Sequence, residues 1–235
     1  MKLAIMQPYL FSYIGYWQLI HAVDAFVVYD DVTFIKGGWI NRNNILLKGE
    51  RRLFTIKLDG ASSYRLIKDI AISDKFTDFT KTLPQYYSKA PFFKDVMDLI
   101  DRIIMFDKLN LAAFIANSIL IIAEYIGIYT KFLMSSDIEK DNSLKGQAKV
   151  IEICRILGAT EYINAIGGVE LYSAAAFAEY GIELKFLKTN FVPYKQFENE
   201  FIPGLSIIDI MMFNSKEKIL DMLNNYELIT PSTQS

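Results

Sequence analysis

The chain is predicted to be an α/β protein built on a parallel, Rossmann-like sheet of about five strands, with a β-ribbon and an inserted helical layer. Three observations predict this. Strand-like and helix-like stretches alternate at both ends of the sequence, helical periodicity governs residues 75 to 127, and the helices of the last third each stop on a glycine.

Ala4 to Met6 is a short apolar strand stopped by Gln7-Pro8, since proline cannot donate to a ladder and pushes its predecessor toward extended geometry. A turn leads to Gly15; from Tyr16 the apolar residues Trp17, Leu19, Ile20 and Val23 take helical spacing, and Ala25 to Tyr29 is a continuous β-rich run. Strand, turn, helix, strand is the signature of a buried parallel unit. Ligand groups are expected beyond the carboxyl ends of its strands, where Gln7, Asp30 and Asp31 fall.

Val32 to Ile35, Ile45 to Leu47 and Leu53 to Ile56 read as short strands of the ribbon, separated by Gly37-Gly38 and by a hairpin turn at Gly49. Lys75 to Ile126 reads as two or three helices with breaks at Pro84 and Ala90-Pro91. Thr130 to Met134 is then a strand ending at Ser135-Ser136, Lys145 to Leu157 a helix, and Glu161 to Ala165 a strand ending at Gly167-Gly168. Glu170 to Tyr180 is a helix and Glu183 to Leu187 the last strand. Right-handed crossovers place these strands in one sheet made by residues 1–35 and 128–190, with Ala4 to Met6 between Phe26 to Tyr29 and Phe132 to Met134. The expected organisation is a single α/β domain over residues 1–235, with the helical insert at 75–127 and a disordered tail at 230–235.

With 52% hydrophobic and 14% aromatic residues, the chain can bury a substantial core. A net charge of -2 gives no general attraction to phosphate backbones, so DNA is not an expected partner, although a local basic patch could hold a tRNA end. One cysteine, Cys154, and one histidine, His21, exclude an intrachain disulfide and a thiolate or imidazole zinc cage, and no metal site is predicted. The apolar run from Leu111 to Ile128 carries Asn117, Ser118 and Glu124 and lacks basic flanks, which favours a buried helix over a membrane span. No export signal is visible near Met1. The expected location is the cytoplasm, with the inner face of the membrane as the one site of contact with lipid.

The candidate catalytic pair is Asp30 and Asp31. A carboxylate there can bind a sugar hydroxyl, act as general base toward an amine or hold Mg²⁺; the competing reading is a pair of acids capping strand-end N–H groups. Neighbouring strand residues face opposite ways, so one of the two is expected in the site, and Asp30 is favoured as the first residue past Tyr29. Trp39, Asn41, Arg42 and Asn43 supply an aromatic plate, a guanidinium and amides suited to a sugar ring with a carboxylate or phosphate, against the alternative of a solvated loop. Lys36 close by is either an anion contact or a surface lysine, Ser135 and Ser136 either offer hydroxyls to a phosphate or acyl oxygen or cap the turn, and Tyr194 and Gln196 can bind sugar hydroxyls. Ser206 reads as the N-cap of a helix from Ile207 to Phe213, with Asp209 completing a capping box. Gln7, Tyr16 and these groups are expected to line one cleft between the first and fourth strands, with the ribbon as a lid hinged at Gly37-Gly38.

Met6-Gln7-Pro8, Gly15-Tyr16, Leu19-Ile20, Asp24, Phe26-Val27, Asp30-Asp31-Val32, Phe34, Lys36, Trp39 and Asn41-Arg42-Asn43 together resemble the opening pattern of the WbqC-like family. Ser135-Ser136, Tyr172, Tyr194-Lys195-Gln196, Phe201, Pro203 and Leu205 to Asp209 resemble its later blocks, while Ser12 stands where the family often has proline. The resemblance implies a role in bacterial O-antigen or other surface-polysaccharide biosynthesis, with transfer of an acyl or aminoacyl group, such as glycyl, to the amine of an activated amino sugar. It implies a nucleotide-linked or lipid-linked amino sugar as acceptor and glycyl-tRNA, acyl-CoA or an ATP-activated acid as donor.

The strand and helix order is also similar to the adenylyl-transfer fold shared by class I tRNA synthetases and pantetheine-phosphate adenylyltransferases. That fold carries histidines where this chain has Tyr13 and Tyr16 around Gly15, so the imidazoles that stabilise a transferring phosphoryl group are missing. Nucleotidyl transfer on this fold and a non-catalytic sugar-binding or assembly subunit are the two alternatives.

Overall fold

The computed structural model describes residues 1–107 and 109–231. In chain order the elements are β1 (Lys2–Met6), α1 (Ile14–His21), β2 (Ala25–Val28), β3 (Arg42–Leu47), β4 (Glu50–Thr55), β5 (Leu58–Asp59) and β6 (Ala71–Ile72). Then come α2 (Thr77–Tyr87), α3 (Phe93–Ile104), α4 (Leu111–Ile126), β7 (Lys131–Met134), α5 (Gly146–Ile156) and β8 (Glu161–Ala165). The chain closes with α6 (Ala174–Ala178), β9 (Glu183–Thr189), α7 (Ile207–Phe213), α8 (Lys216–Leu223) and β10 (Tyr226–Ile229).

The central sheet is mixed α/β in its surroundings and mostly parallel, with six strands in the order β10-β9-β8-β1-β2-β7. Strand alternation explains its two apolar layers. Ala4, Phe26 and Val28 pack on one face against α1, the α2 to α4 layer, α7 and α8, while Leu3, Ile5, Ala25 and Val27 pack on the other against α5 and α6. The inner strands β1, β2 and β8 are buried on both faces, which is why they read as largely apolar runs.

Several expectations are corrected. Phe132 to Met134 does not flank β1; it pairs in register with β2, Phe26 opposite Phe132, and forms the sheet edge, while β8 takes the place beside β1. The direction of winding therefore reverses between β1 and β8. A sixth strand, β10, lies antiparallel on β9; four residues containing Glu227 on an edge carry little strand signal. Val32 to Ile35 forms no strand, because its backbone meets the 65–67 segment through a single bridge and two hydrogen bonds. Pro84 does not break α2, since burial of Phe79, Leu83 and Tyr87 on one side holds the helix through it. The span 170–180 is not one helix: a 3₁₀ turn covers Ile166–Leu171, and α6 restarts on the Ser173 hydroxyl, which accepts from Ala176 N–H.

The ribbon β3–β4 turns through Lys48 and Gly49, both with positive φ, as a two-residue hairpin requires. Thr230 belongs to the described residues, and positions 232–235 of the expected tail lie outside them. Among the described residues no helix is long and apolar enough to cross a membrane.

Candidate functional site

The turn after β1 is held in place from three sides. Asn43 on β3 donates its amide to the carbonyls of Leu10 (3.4 Å) and Phe11 (2.9 Å). Ser206 donates its hydroxyl to the Phe11 carbonyl at 2.7 Å and accepts from Ile208 N–H, so it caps α7 and clamps the turn together. The Ser12 carbonyl accepts from Ile207 N–H and from the Trp17 indole. These bonds hold Phe11 at φ 45, a left-handed conformation that a phenylalanine rarely adopts unaided.

Gly15 is where the turn enters α1. A Cβ there would strike the Tyr13 ring at 2.5 Å and the Thr189 hydroxyl, so only glycine lets α1 approach the end of β9. Tyr16 is buried and donates its hydroxyl to the Gln7 carbonyl at 3.0 Å. Burial raises the Tyr13 and Tyr16 phenols above their ordinary values, leaving both neutral at physiological pH.

Two recesses lie at the start of the ribbon, the first of them beside this turn. The first, of about 200 Å³, is lined by Tyr9, Ser12, Tyr13, Trp39, Asn43 and Gly204. Trp39 is 48% exposed, whereas Ser12 is buried and its hydroxyl has no hydrogen-bond partner among the described residues. The second, of about 240 Å³, is lined by Lys36, Asn41, Arg42 and Thr55 with Phe34 and Leu58. Arg42 donates Nε–H to the Gly38 carbonyl at 2.9 Å, and its guanidinium lies 5.8 Å from the centre of the Trp39 ring. Strand alternation sends Asn43 toward one recess and Arg42 toward the other.

The two acids after β2 lie elsewhere, at the carboxyl ends of β2 and β7. Asp30 accepts from the Ser136 N–H and hydroxyl, and as a general base it must first release them. Asp31 sits between Lys140 at 2.8 Å and Lys149 at 3.0 Å, all three side chains almost fully buried. Burial alone would raise the Asp31 carboxyl, but the ammonium groups of Lys140 and Lys149 outweigh it and hold the group below its usual range. Lys140 also donates to the Ser135 and Ile138 carbonyls, and Lys149 to the Asp31 carbonyl while lying 5.2 Å from the Tyr29 ring centre. Among the described residues no cluster of three or more His, Cys, Asp or Glu side chains could hold a metal ion.

Asp209 departs from its expected role. It does not complete a capping box; its carboxylate is buried and accepts from Tyr194 (2.6 Å), Tyr87 (2.7 Å) and Gln196 (2.8 Å). Burial raises its carboxyl, and those three hydrogen bonds offset part of the rise. Tyr194 and Gln196 thus spend their polar ends on Asp209.

Residues 7–221 match the model of the WbqC-like protein family. The chain belongs to the WbqC-like family. A relative described as the uncharacterized protein Rv1507c of Mycobacterium tuberculosis is 28% identical over 229 residues, covering 94% of this chain and 97% of that protein. No solved structure matches the chain significantly.

The candidate site residues read from the sequence divide among these places. Tyr13, Trp39 and Asn43 line the aromatic recess, and Lys36, Asn41 and Arg42 line the cationic one. Asp30, Asp31, Ser135 and Ser136 join the ends of β2 and β7, Tyr194 and Gln196 surround Asp209, and Gln7 and Tyr16 brace the turn. The sequence reading missed Lys140 and Lys149, which look like surface lysines in isolation, and missed Tyr9, Ser12 and Gly204 as lining residues. Aromatic spacing around Gln7-Pro8 could have drawn attention to Tyr9; nothing local marks the two lysines.

Proposed function

We propose that this WbqC-like protein is a transferase that places an acyl or aminoacyl group, glycyl among the candidates, on the amine of an activated amino sugar in O-antigen or other surface-polysaccharide assembly. The aromatic recess carries the reading. An indole left half in solvent beside Tyr9 and Tyr13 offers flat apolar faces for the C–H face of a pyranose, and the buried Ser12 hydroxyl behind them, without a hydrogen-bond partner among the described residues, would gain one only if the wall opened to a ligand. Such a combination of aromatic walls and few polar groups fits one sugar ring better than an extended polymer.

In this reading the acceptor is a nucleotide-linked or lipid-linked amino sugar, and the donor is glycyl-tRNA, an acyl-CoA or an ATP-activated acid. Asp30 and Asp31 act as the framework of the strand-end crevice, with Asp30 available as base toward the amine only after Ser136 lets go. The test is purified protein incubated with a panel of nucleotide amino sugars and these donors, read by mass spectrometry. An N-acylated sugar supports the reading, and no adduct across the panel removes it.

Reversal of the winding direction between β1 and β8 favours nucleotidyl transfer as a second reading, because ligands of open α/β sheets bind where that reversal occurs. Against it, Tyr13 and Tyr16 are neutral phenols, and Tyr16 already spends its hydrogen on Gln7. Exchange of labelled pyrophosphate into ATP with Mg²⁺ and a sugar phosphate or an acid would support this second reading over the first.

A further inference from the structure

We propose that Lys36 and Arg42 form a subsite for an anionic group, a phosphate or a carboxylate, on a ligand whose ring rests in the adjoining aromatic recess. The proposal deepens the amino-sugar reading and rests on it for the ring. Its own support is the second recess.

The local chain builds a guanidinium of fixed direction. Gly37 takes φ +77, the turn closes with Gly38 N–H donating to the Ile35 carbonyl at 3.0 Å, and the Gly38 carbonyl then receives Arg42 Nε–H. One donor of the five is thereby used for orientation, and the Nη nitrogens make no hydrogen bond to the described residues. The Trp39 ring on one side further limits where the plane can turn.

The charges around it are uncompensated. Lys36 and Arg42 line one recess of about 240 Å³ into which no acidic side chain projects. Among the described residues neither cation pairs with a carboxylate, whereas Lys140, Lys149 and Lys185 all do. Thr55 stands directly opposite Arg42 in the β3–β4 register, so its side chain lies on the same face of the ribbon and lines the same recess. A planar guanidinium, an ammonium and a hydroxyl converging on one opening suit the three oxygens of a phosphate or the two of a carboxylate. Arg42 links the two recesses, because it lines the cationic one and lies over the tryptophan of the aromatic one.

The experiment is calorimetric titration of the full chain, at low and at physiological salt, with methyl glucosaminide, glucosamine 1-phosphate, glucuronic acid and inorganic phosphate. Glucosamine 1-phosphate or glucuronic acid should bind about tenfold or more tightly than methyl glucosaminide, as charge-assisted hydrogen bonds in a shallow site allow. Which of the two gains more identifies phosphate or carboxylate as the group. The advantage should shrink with salt and collapse in Arg42→Gln and in Lys36→Gln, the latter an exposed position where folding is not at stake. An advantage that survives both substitutions, or acidic rings that bind no better than methyl glucosaminide, overturns the subsite even if methyl glucosaminide binds. Inorganic phosphate binding that depends on Arg42, with no ring binding at all, would keep the subsite and overturn the amino-sugar reading instead.

Discussion

Asp30 and Ser136, 106 positions apart, are joined twice: the carboxylate accepts the Ser136 N–H at 2.9 Å and the Ser136 hydroxyl at 2.7 Å. This pair ties the end of β2 to the end of β7 after the whole ribbon and helical insert have intervened. Ser136→Ala removes the hydroxyl and keeps the N–H, and because Ser136 is exposed and water can take the hydroxyl's place, the unfolding free energy should fall by about 0.5–1.5 kcal/mol. Urea denaturation reads it, and an unchanged midpoint would show that Asp30 does not depend on Ser136.

The neighbouring acid makes a different prediction. Asp31→Asn leaves Lys140 and Lys149 buried without their counter-charge and should cost about 3–5 kcal/mol at neutral pH. The folded carboxyl titrates below its unfolded value of about 3.9, so the stabilisation is present above about pH 4 and is lost as pH falls through the folded value. Unfolding curves of the two proteins should therefore draw together only in acid. A gap that stays constant from neutral pH to well below pH 4 would contradict this account of Asp31.

Tyr87 connects the helical layer to both the ribbon and α7, since its oxygen accepts from Leu46 N–H at 2.8 Å and donates to Asp209 at 2.7 Å. Tyr87→Phe leaves a buried N–H and a buried carboxylate each short of a partner, and should destabilise by about 2–4 kcal/mol. Thermal unfolding checks it; a loss under about 0.5 kcal/mol would mean that water replaces the phenol oxygen.

These buried polar groups show where sequence reading stops. The inner apolar strands, the helix ended by Gly158 and the Gly49 hairpin were legible because each is set by local pattern: continuous β-rich runs, periodicity and a backbone conformation that favours glycine. The order of β7 and β8 was not, because which strand lies beside β1 depends on where the chain returns after the insert. In the site, Trp39, Arg42 and Asn43 were visible as chemistry, and Tyr13 as a residue beside the turn. Asp209 followed a capping pattern that its neighbour Ser206 does satisfy, but three partners from two distant segments claimed the carboxylate instead. Lys140 and Lys149 carried no signal, since only the folded sheet shows that both reach Asp31.

Gly15 couples the fold to the aromatic recess. Gly15→Ala forces a methyl into the Tyr13 ring and the Thr189 hydroxyl, an overpacking that costs about 1–3 kcal/mol. Displacement of Tyr13 should also weaken binding of methyl glucosaminide. Equal affinity of Gly15→Ala and wild type in calorimetric titration would show that Tyr13 is not a wall of the ligand site.

The central claim is that a sugar ring rests against Trp39, and the protein supplies its own reporter. Trp17 is 1% exposed and Trp39 is 48% exposed, so the indole N–H resonance that responds to a sugar identifies the tryptophan in contact with it. Titration of ¹⁵N-labelled protein with glucosamine 1-phosphate should shift the Trp39 indole resonance in a saturable way and leave that of Trp17 nearly fixed. In Trp39→Ala the affinity should fall about tenfold while the melting temperature holds. Wild-type affinity in Trp39→Ala, or saturable binding that leaves the Trp39 resonance in place, would contradict the account.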